Sequence, residues 1–430
     1  MLAPRSKMAG ASYGGGRRWI LSLLPYALAS GPLSTLVTLQ VKDVLGGGSV
    51  QVSQVVASGT AAGVAASLAW GEASDRVGRR EVLLAGLLGF ALSIMLLSAS
   101  SSLAEVAVLY SLANFFASAV GVASSLLVMD VVEKRSWSRA FSDLNYLLSV
   151  GYLAGDAAAA FMAADVGVKR IVLMLGLVSA ASAAMAAALV PAPKIVLERE
   201  AVVRHREAFI SRLRALPTAF LRPPSLSTFK PLRLLRAWGT PAAKIPVLYL
   251  AAVAFFVSSG IFNTLYPYGL AAKGLTSYEV LAVVSAGMVA QIAGFYLAPR
   301  LMGLLGDLPR TSALWLSVRS LSYITIGLTA WALGSRAALL TGFTAYPLAA
   351  GIAYASFYTA LNLMVFEVVQ GSGEGRGLGL YSTLTGAAYF AGSLLSGYLA
   401  EWIGIGQTYV VAGALLAASI YLMAELSRIW

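Results

Sequence analysis

Twelve apolar stretches of about 20 residues or more, each long enough to cross the hydrocarbon core of a bilayer, dictate what this chain can become. They lie at roughly 19–40, 51–70, 82–100, 104–130, 139–163, 168–190, 245–269, 279–300, 311–333, 336–368, 377–400 and 405–427. In lipid each backbone N–H and C=O has to be satisfied within its own segment, so each stretch is expected to be a helix. The stretches from 104 and 336 exceed one span and imply tilt or extension into solvent. Charged residues make up 12% of the chain and hydrophobic ones 58%, against about 25% charged in a soluble domain. The expected fold class is an all-α polytopic membrane protein.

Composition also excludes chemistry. There is no cysteine and one histidine, His205, in a hydrophilic stretch, so disulfides, thiol catalysis and thiolate metal sites are out. Neither a metal nor a cofactor is expected, and with no nucleotide loop the chain does not read as an enzyme. The net charge of +12 would suit nucleic acid, but the placement of the basic residues argues against that partner. Of the 31 lysines and arginines, 25 fall on the side that holds the N-terminus, five on the other, and Arg319 lies within a span. This bias predicts a multi-pass protein of the cytoplasmic (plasma) membrane with both termini cytoplasmic. The first apolar run exceeds the 7–15 residues, roughly, of a signal-peptide core, so residues 1–18 read as a basic cytoplasmic tail before an uncleaved helix.

The segments divide six and six around 191–244, which carries eleven basic residues against Glu198, Glu200 and Glu207. Within it 198–216 reads either as an amphipathic basic helix on anionic lipid or as a solvated linker. The two halves resemble each other. RAFSDLNYLLSVGYLAGD, Arg139 to Asp156, aligns without gaps on RGLGLYSTLTGAAYFAGS, Arg376 to Ser393, at an offset of 237. An offset of 229 places Ser30-Gly31 and Thr35-Leu36 on Ser259-Gly260 and Thr264-Leu265. The expected organisation is twelve transmembrane helices in two pseudo-symmetric six-helix bundles, 19–190 and 245–430.

Between the second and third segments stands a polar knot, GEASDRVGRR at Gly71–Arg80. Its glycines, Gly71 and Gly78, suit close approach or positive φ, and Asp75, Arg76, Arg79 and Arg80 are too costly to carry into lipid. The spacing G-x-x-x-D-R-x-G-R-R predicts a tight turn at the membrane surface, and it resembles the signature loop of the major facilitator superfamily of secondary transporters. That resemblance implies alternating access around a central site between the halves, with this loop as a conformational latch. It puts Asp75 near the start of the eleventh segment, around Gly377, and pairs Arg79 with an acid at the end of the fourth, Asp130 or else Glu133. The second half's copy, PRLMGLLGD, keeps Gly306 at the slot of Gly78 and has lost the charges.

Two charges lie inside spans. Asp156 is a proton-coupling candidate, because an isolated carboxylate there is expensive to ionise; the alternative is a carboxylate reaching an outer water-filled vestibule. Arg319 reads as a structural clamp or as an anion-binding group. From the helices that line the cavity in the resembled family come the candidates Tyr26, Ser34, Asn114, Asn145, Asn263, Tyr266, Gln291, Tyr354, Tyr358, Asn362, Tyr381 and Tyr389. Their amides and phenols suit a neutral or amphipathic solute, or serve as interhelical hydrogen bonds. The expected function is proton-coupled export of a small organic molecule by a monomer. Import or facilitation by the same fold, and a non-transporting sensor or membrane enzyme, are the alternatives.

Overall fold

The computed structural model describes residues 18–131, 137–190, 243–302, 306–369 and 374–430. Among them every regular element is helical. A 3-10 turn, Arg18–Leu23, leads into α1 (Leu24–Leu39), which ends in a π turn, Gln40–Val44. There follow α2 (Ser49–Val77), α3 (Arg79–Ala99), α4 (Leu103–Val131), α5 (Trp137–Met162) and α6 (Val168–Leu189). The second half holds α7 (Lys244–Ala272), α8 (Ser277–Met302), α9 (Leu308–Ala332), α10 (Ser335–Phe343), a π segment Pro347–Ala353, α11 (Tyr354–Val369), α12 (Glu374–Ile403) and α13 (Ile405–Ile429). The predicted linker helix at 198–216 lies outside the described residues.

Among the described residues nine segments are long and apolar enough to cross a membrane. The helices α5, α9 and α12 are as long, but charged residues dilute their hydropathy: Arg139, Asp143 and Asp156; Arg310 and Arg319; Glu374, Arg376 and Glu401. The protein is a multi-pass membrane protein, and its exposed side chains, such as Leu92, Leu96, Phe161 and Leu321, suit contact with lipid tails.

Two sequence expectations need correction. The polar knot is not a tight turn over ten residues, because α2 runs on through Val77 and the break is Gly78 alone, at φ +122. Gly71 is helical with open space where a Cβ would go, so neither close approach nor positive φ explains it. Gly306, its counterpart loop's glycine, also has positive φ, +67. The long stretch 336–368 does not simply tilt: it breaks at Thr344 and then widens through the underwound π segment. Pro347 lies at that point, where its missing N–H and ring disfavour a continuous α-helix.

The internal repeat is built into the packing. In the first half a Cβ at Gly31 would meet the Tyr152 backbone, and one at Gly155 would meet the Leu28 carbonyl. In the second half Gly260 faces the Tyr389 backbone and Gly392 the Val257 carbonyl in the same way. These are the positions that offsets 229 and 237 pair, so the crossing of α1 with α5 is repeated by α7 with α12. Small residues let such backbones touch.

At the end opposite the termini, α4 opens with a reciprocal cap. Glu105 accepts from the Ser101 N–H at 2.7 Å and the Ser102 N–H at 3.3 Å, while its own N–H donates to the Ser102 hydroxyl. Glu105→Ala is therefore expected to melt ~1–3 °C below the parent at pH 7. Thermal melts of the two proteins side by side check the loss of the cap.

Candidate functional site

Where α1, α4, α7 and α12 approach one another, polar groups gather at mid-depth. Ser34 is exposed although it lies in the middle of α1 between buried Leu33 and Thr35. The Tyr110 hydroxyl is in polar contact with Ser34 and with Asn114, and the Asn114 amide donates to the Tyr110 carbonyl at 2.9 Å. From the other half Asn263 contacts the Tyr389 hydroxyl, which lies within electrostatic range of Tyr110. Ser34 and Asn263 stand at the same place in the two repeats. Asn114, Asn263 and Tyr389 are half-buried, so the belt is open to water while apolar packing surrounds it. Such a belt can hydrogen-bond an uncharged solute and stack on a planar one.

Four of the sequence-predicted cavity residues, Ser34, Asn114, Asn263 and Tyr389, thus come together. Tyr358 stacks on Tyr354 at 5.4 Å, and Asn362 and Tyr381 are half-buried. Gln291 sits beside Gly351, where α8 meets the π segment. Asn145 is exposed, next to Tyr146, which is 67% exposed. Tyr26 and Tyr266 lie apart from this belt. Tyr26 is buried edge-on against Phe90 at 4.7 Å, and Tyr266 is buried between Phe262 and Tyr346, at 4.9 and 4.4 Å. Tyr110 escaped the sequence reading, although its place one turn before Asn114 was the available signal.

The halves touch at the end opposite the termini. The Ser49 hydroxyl donates to the Gly397 carbonyl at 3.1 Å, and the Gln54 amide to the Tyr398 hydroxyl at 2.9 Å. Nearer mid-depth Val64 packs against Gly386. These contacts join α2 to α12, and α5 packs on α8.

Asp156 and Arg319 are each 1% exposed. Asp156 follows Gly155 at the α1–α5 crossing, and its Oδ1 has no hydrogen-bond partner. Arg319 donates to the Ala349 carbonyl of the π segment at 2.7 Å and to the Ser259 hydroxyl at 3.3 Å. Its guanidinium lies 4.9 to 5.3 Å from the ring centres of Tyr323, Phe255 and Tyr354. That arrangement ties α9 to α7 and to the distorted tenth segment, as a clamp would. On the surface segment, Arg79 donates to the Leu126 carbonyl at 2.9 Å and Arg80 to the Ala187 carbonyl at 2.7 Å. Leu126 is one turn before Asp130. The side chains of Asp75, Arg76 and Asp130 lie outside the described residues, as does Glu133. Among the described residues no group of acids and histidines could hold a metal ion.

The sequence profile of the Major Facilitator Superfamily matches residues 19–343. A stretch of 103 residues, 24% of this chain, is 29% identical to the major facilitator superfamily multidrug transporter mfsB of Aspergillus fumigatus, and spans 17% of that protein. Among solved structures, a POT family transporter in complex with 5-aminolevulinic acid superposes at a TM-score of 0.71, covering 99% of this chain and 98% of the other at 12% identity. The nucleoside transporter NupG superposes at 0.68, covering 96% and 99%, also at 12% identity. At such identity these likenesses speak to the fold.

Proposed function

The chain belongs to the Major Facilitator Superfamily, a family of transporters and not of enzymes, and from that premise we propose that it exports a small organic solute by alternating access, coupled to protons. On this reading α1 to α6 and α7 to α13 form two six-helix bundles, 19–190 and 245–430, that make twelve crossings. The basic linker 191–244 and both termini face the cytoplasm. The half-exposed belt of Ser34, Asn114, Asn263 and Tyr389 carries the proposal, because it offers hydrogen bonds from both halves at one depth without a fixed charge. A neutral or amphipathic, partly planar solute suits that lining. The partial likeness to a protein named a multidrug transporter agrees with such a solute.

With Ser49 on Gly397 and Gln54 on Tyr398, the site is closed on the side away from the termini, which corresponds to an inward-facing state. Asp75 and Arg79 act as the latch that closes the cytoplasmic side in the opposite state. Asp156 is the proton site: a carboxylate with an unpartnered oxygen, buried in an apolar crossing, is easier to hold neutral than charged. Flux into proteoliposomes, screened over drug-like compounds and metabolites with and without an imposed pH gradient, tests the proposal. The gradient is expected to accelerate flux, and Asp156→Asn to remove that acceleration while leaving exchange of the solute at equilibrium. Equal flux with and without the gradient, in the parent protein, would refute proton coupling.

A further inference from the structure

The second half carries a set of side chains that the first half lacks. On α11 the half-buried Tyr354, Tyr358 and Asn362 stand four residues apart, so they form one polar stripe along the helix. The exposed Leu363, five residues after Tyr358, points to another side of the helix and suits lipid. At offset 237 the stripe matches Ala117, Gly121 and Ser125 of α4, which carry neither ring nor amide. Gly121 is exposed, and nothing lies within 4 Å of where its Cβ would be. Behind the stripe stands Arg319, whose counterpart is Phe90. The ring stripe and the guanidinium thus occur together, in one half only.

Arg319 itself is sealed from any solute, but its charge is not. A guanidinium stays protonated throughout the working pH range. Among the described residues its partners are a carbonyl, a hydroxyl and three rings, all neutral, and its Nε has no acceptor. Asp156, the other fully buried charge among them, sits in the opposite half at the α1–α5 crossing and on the reading above is held neutral. Glu367, an acid of α11, is nine residues beyond Tyr358, two and a half turns, and so lies on the opposite side of the helix. The Tyr354 ring centre is 5.3 Å from the guanidinium, and Tyr358 stacks on Tyr354 at 5.4 Å with 13° between the planes. The charge is therefore one ring removed from the half-exposed Tyr358, across packed aromatic groups that screen poorly. It also engages the Tyr354 π-system that would otherwise attract a solute cation.

We propose that Tyr354, Tyr358 and Asn362 form a solute subsite that takes planar neutral or anionic groups and disfavours cations, with Arg319 as its specificity-determining residue. This rests on the transport reading above and narrows its solute class. Its test reads electrostatic potential and no flux, so its failure is distinct from a failure of the export proposal. The chain has no cysteine, so a thiol placed by Tyr358→Cys, or by Gly121→Cys at the matching position of the first half, is labelled alone. In the full-length protein in detergent, the labelling rate with anionic sulfonatoethyl methanethiosulfonate is divided by that with cationic trimethylammonioethyl methanethiosulfonate. Both reagents attack the same thiolate, so its ionisation and access cancel in the ratio. The ratio is expected to be roughly tenfold higher at 358 than at 121 or for mercaptoethanol in solution, and to fall by about that factor when Arg319→Gln is added to Tyr358→Cys. Arg319→Lys, which keeps the charge and loses the fork that holds Ala349 and Ser259, is expected to hold the ratio nearer the parent value. A ratio at 358 no higher than the two references, one unmoved by Arg319→Gln, or a thiol at 358 that neither reagent labels would overturn the proposal. If Arg319→Gln yields no folded protein, the comparison of 358 with 121 and mercaptoethanol decides.

Discussion

Cross-linking position 54 to position 398, after Gln54→Cys and Tyr398→Cys, is expected to reduce transport by roughly tenfold or more, and dithiothreitol to restore it when the cross-linker is cleavable. The Gln54 amide donates to the Tyr398 hydroxyl at 2.9 Å from an exposed site on the end opposite the termini. A short thiol-specific reagent can therefore reach both positions. The chain has no cysteine of its own, so the label goes to these two sites alone. If alternating access works by rocking α2 away from α12, a covalent bridge there holds one state and the cycle stops. Gln54→Cys alone, treated identically, controls for loss of the hydrogen bond, which at an exposed position contributes little. Unchanged flux in the fully cross-linked protein would mean that the halves do not part at this end, and the proposed inward-facing assignment of these contacts would fall with it.

The all-helical, multi-pass character of the chain and its internal repeat were legible because each is a matter of composition or spacing. Gly31 was matched to Gly260 and Tyr152 to Tyr389 by offset alone, and the contacts Gly31–Tyr152 and Gly260–Tyr389 proved to make the same helix crossing twice. The extent of the polar knot was not legible. Glycine and charge both signal a turn, yet acids and bases continue a helix once it leaves lipid, so α2 runs to Val77 and only the positive φ of Gly78 ends it. The break at Thr344 had a signal, Pro347, hidden inside an apolar run whose length argued for one helix. Of the site, amides in spans were readable as candidates, but helical periodicity does not say which face meets which neighbour. Tyr26 and Tyr266 were indistinguishable in sequence from Tyr389. Packing alone buries the first two against aromatic rings, Tyr26 edge-on to Phe90 and Tyr266 stacked on Tyr346, and leaves the last beside Asn263.

Gly392→Val and Gly155→Val are expected to damage the fold more than any conservative change in the belt, and by similar amounts. A Cβ at Gly392 would lie against the Val257 carbonyl, and one at Gly155 against the Leu28 carbonyl. Neither obstacle is the end of a flexible side chain: both are backbone, so relief requires two packed helices to separate. In the first half Pro32 has already removed the helical partner of the Leu28 carbonyl, so that crossing depends on α5 backbone lying close above it. Overpacking of this kind costs about 1–3 kcal/mol even where side chains can move, and rigid backbone puts these sites at or beyond the upper end. In thermal melts that is a fall of roughly 5–10 °C, with reduced yield from membranes. Gly121, helical, exposed and with open space around its Cβ position, is the control, and Gly121→Ala should melt with the parent or slightly above it. The comparison also examines the duplication itself. If the fold rests on one crossing used twice, the two valine variants must suffer alike; a Gly392→Val protein that melts with the parent while Gly155→Val does not would show that the second half has ceased to depend on the contact that its sequence still encodes.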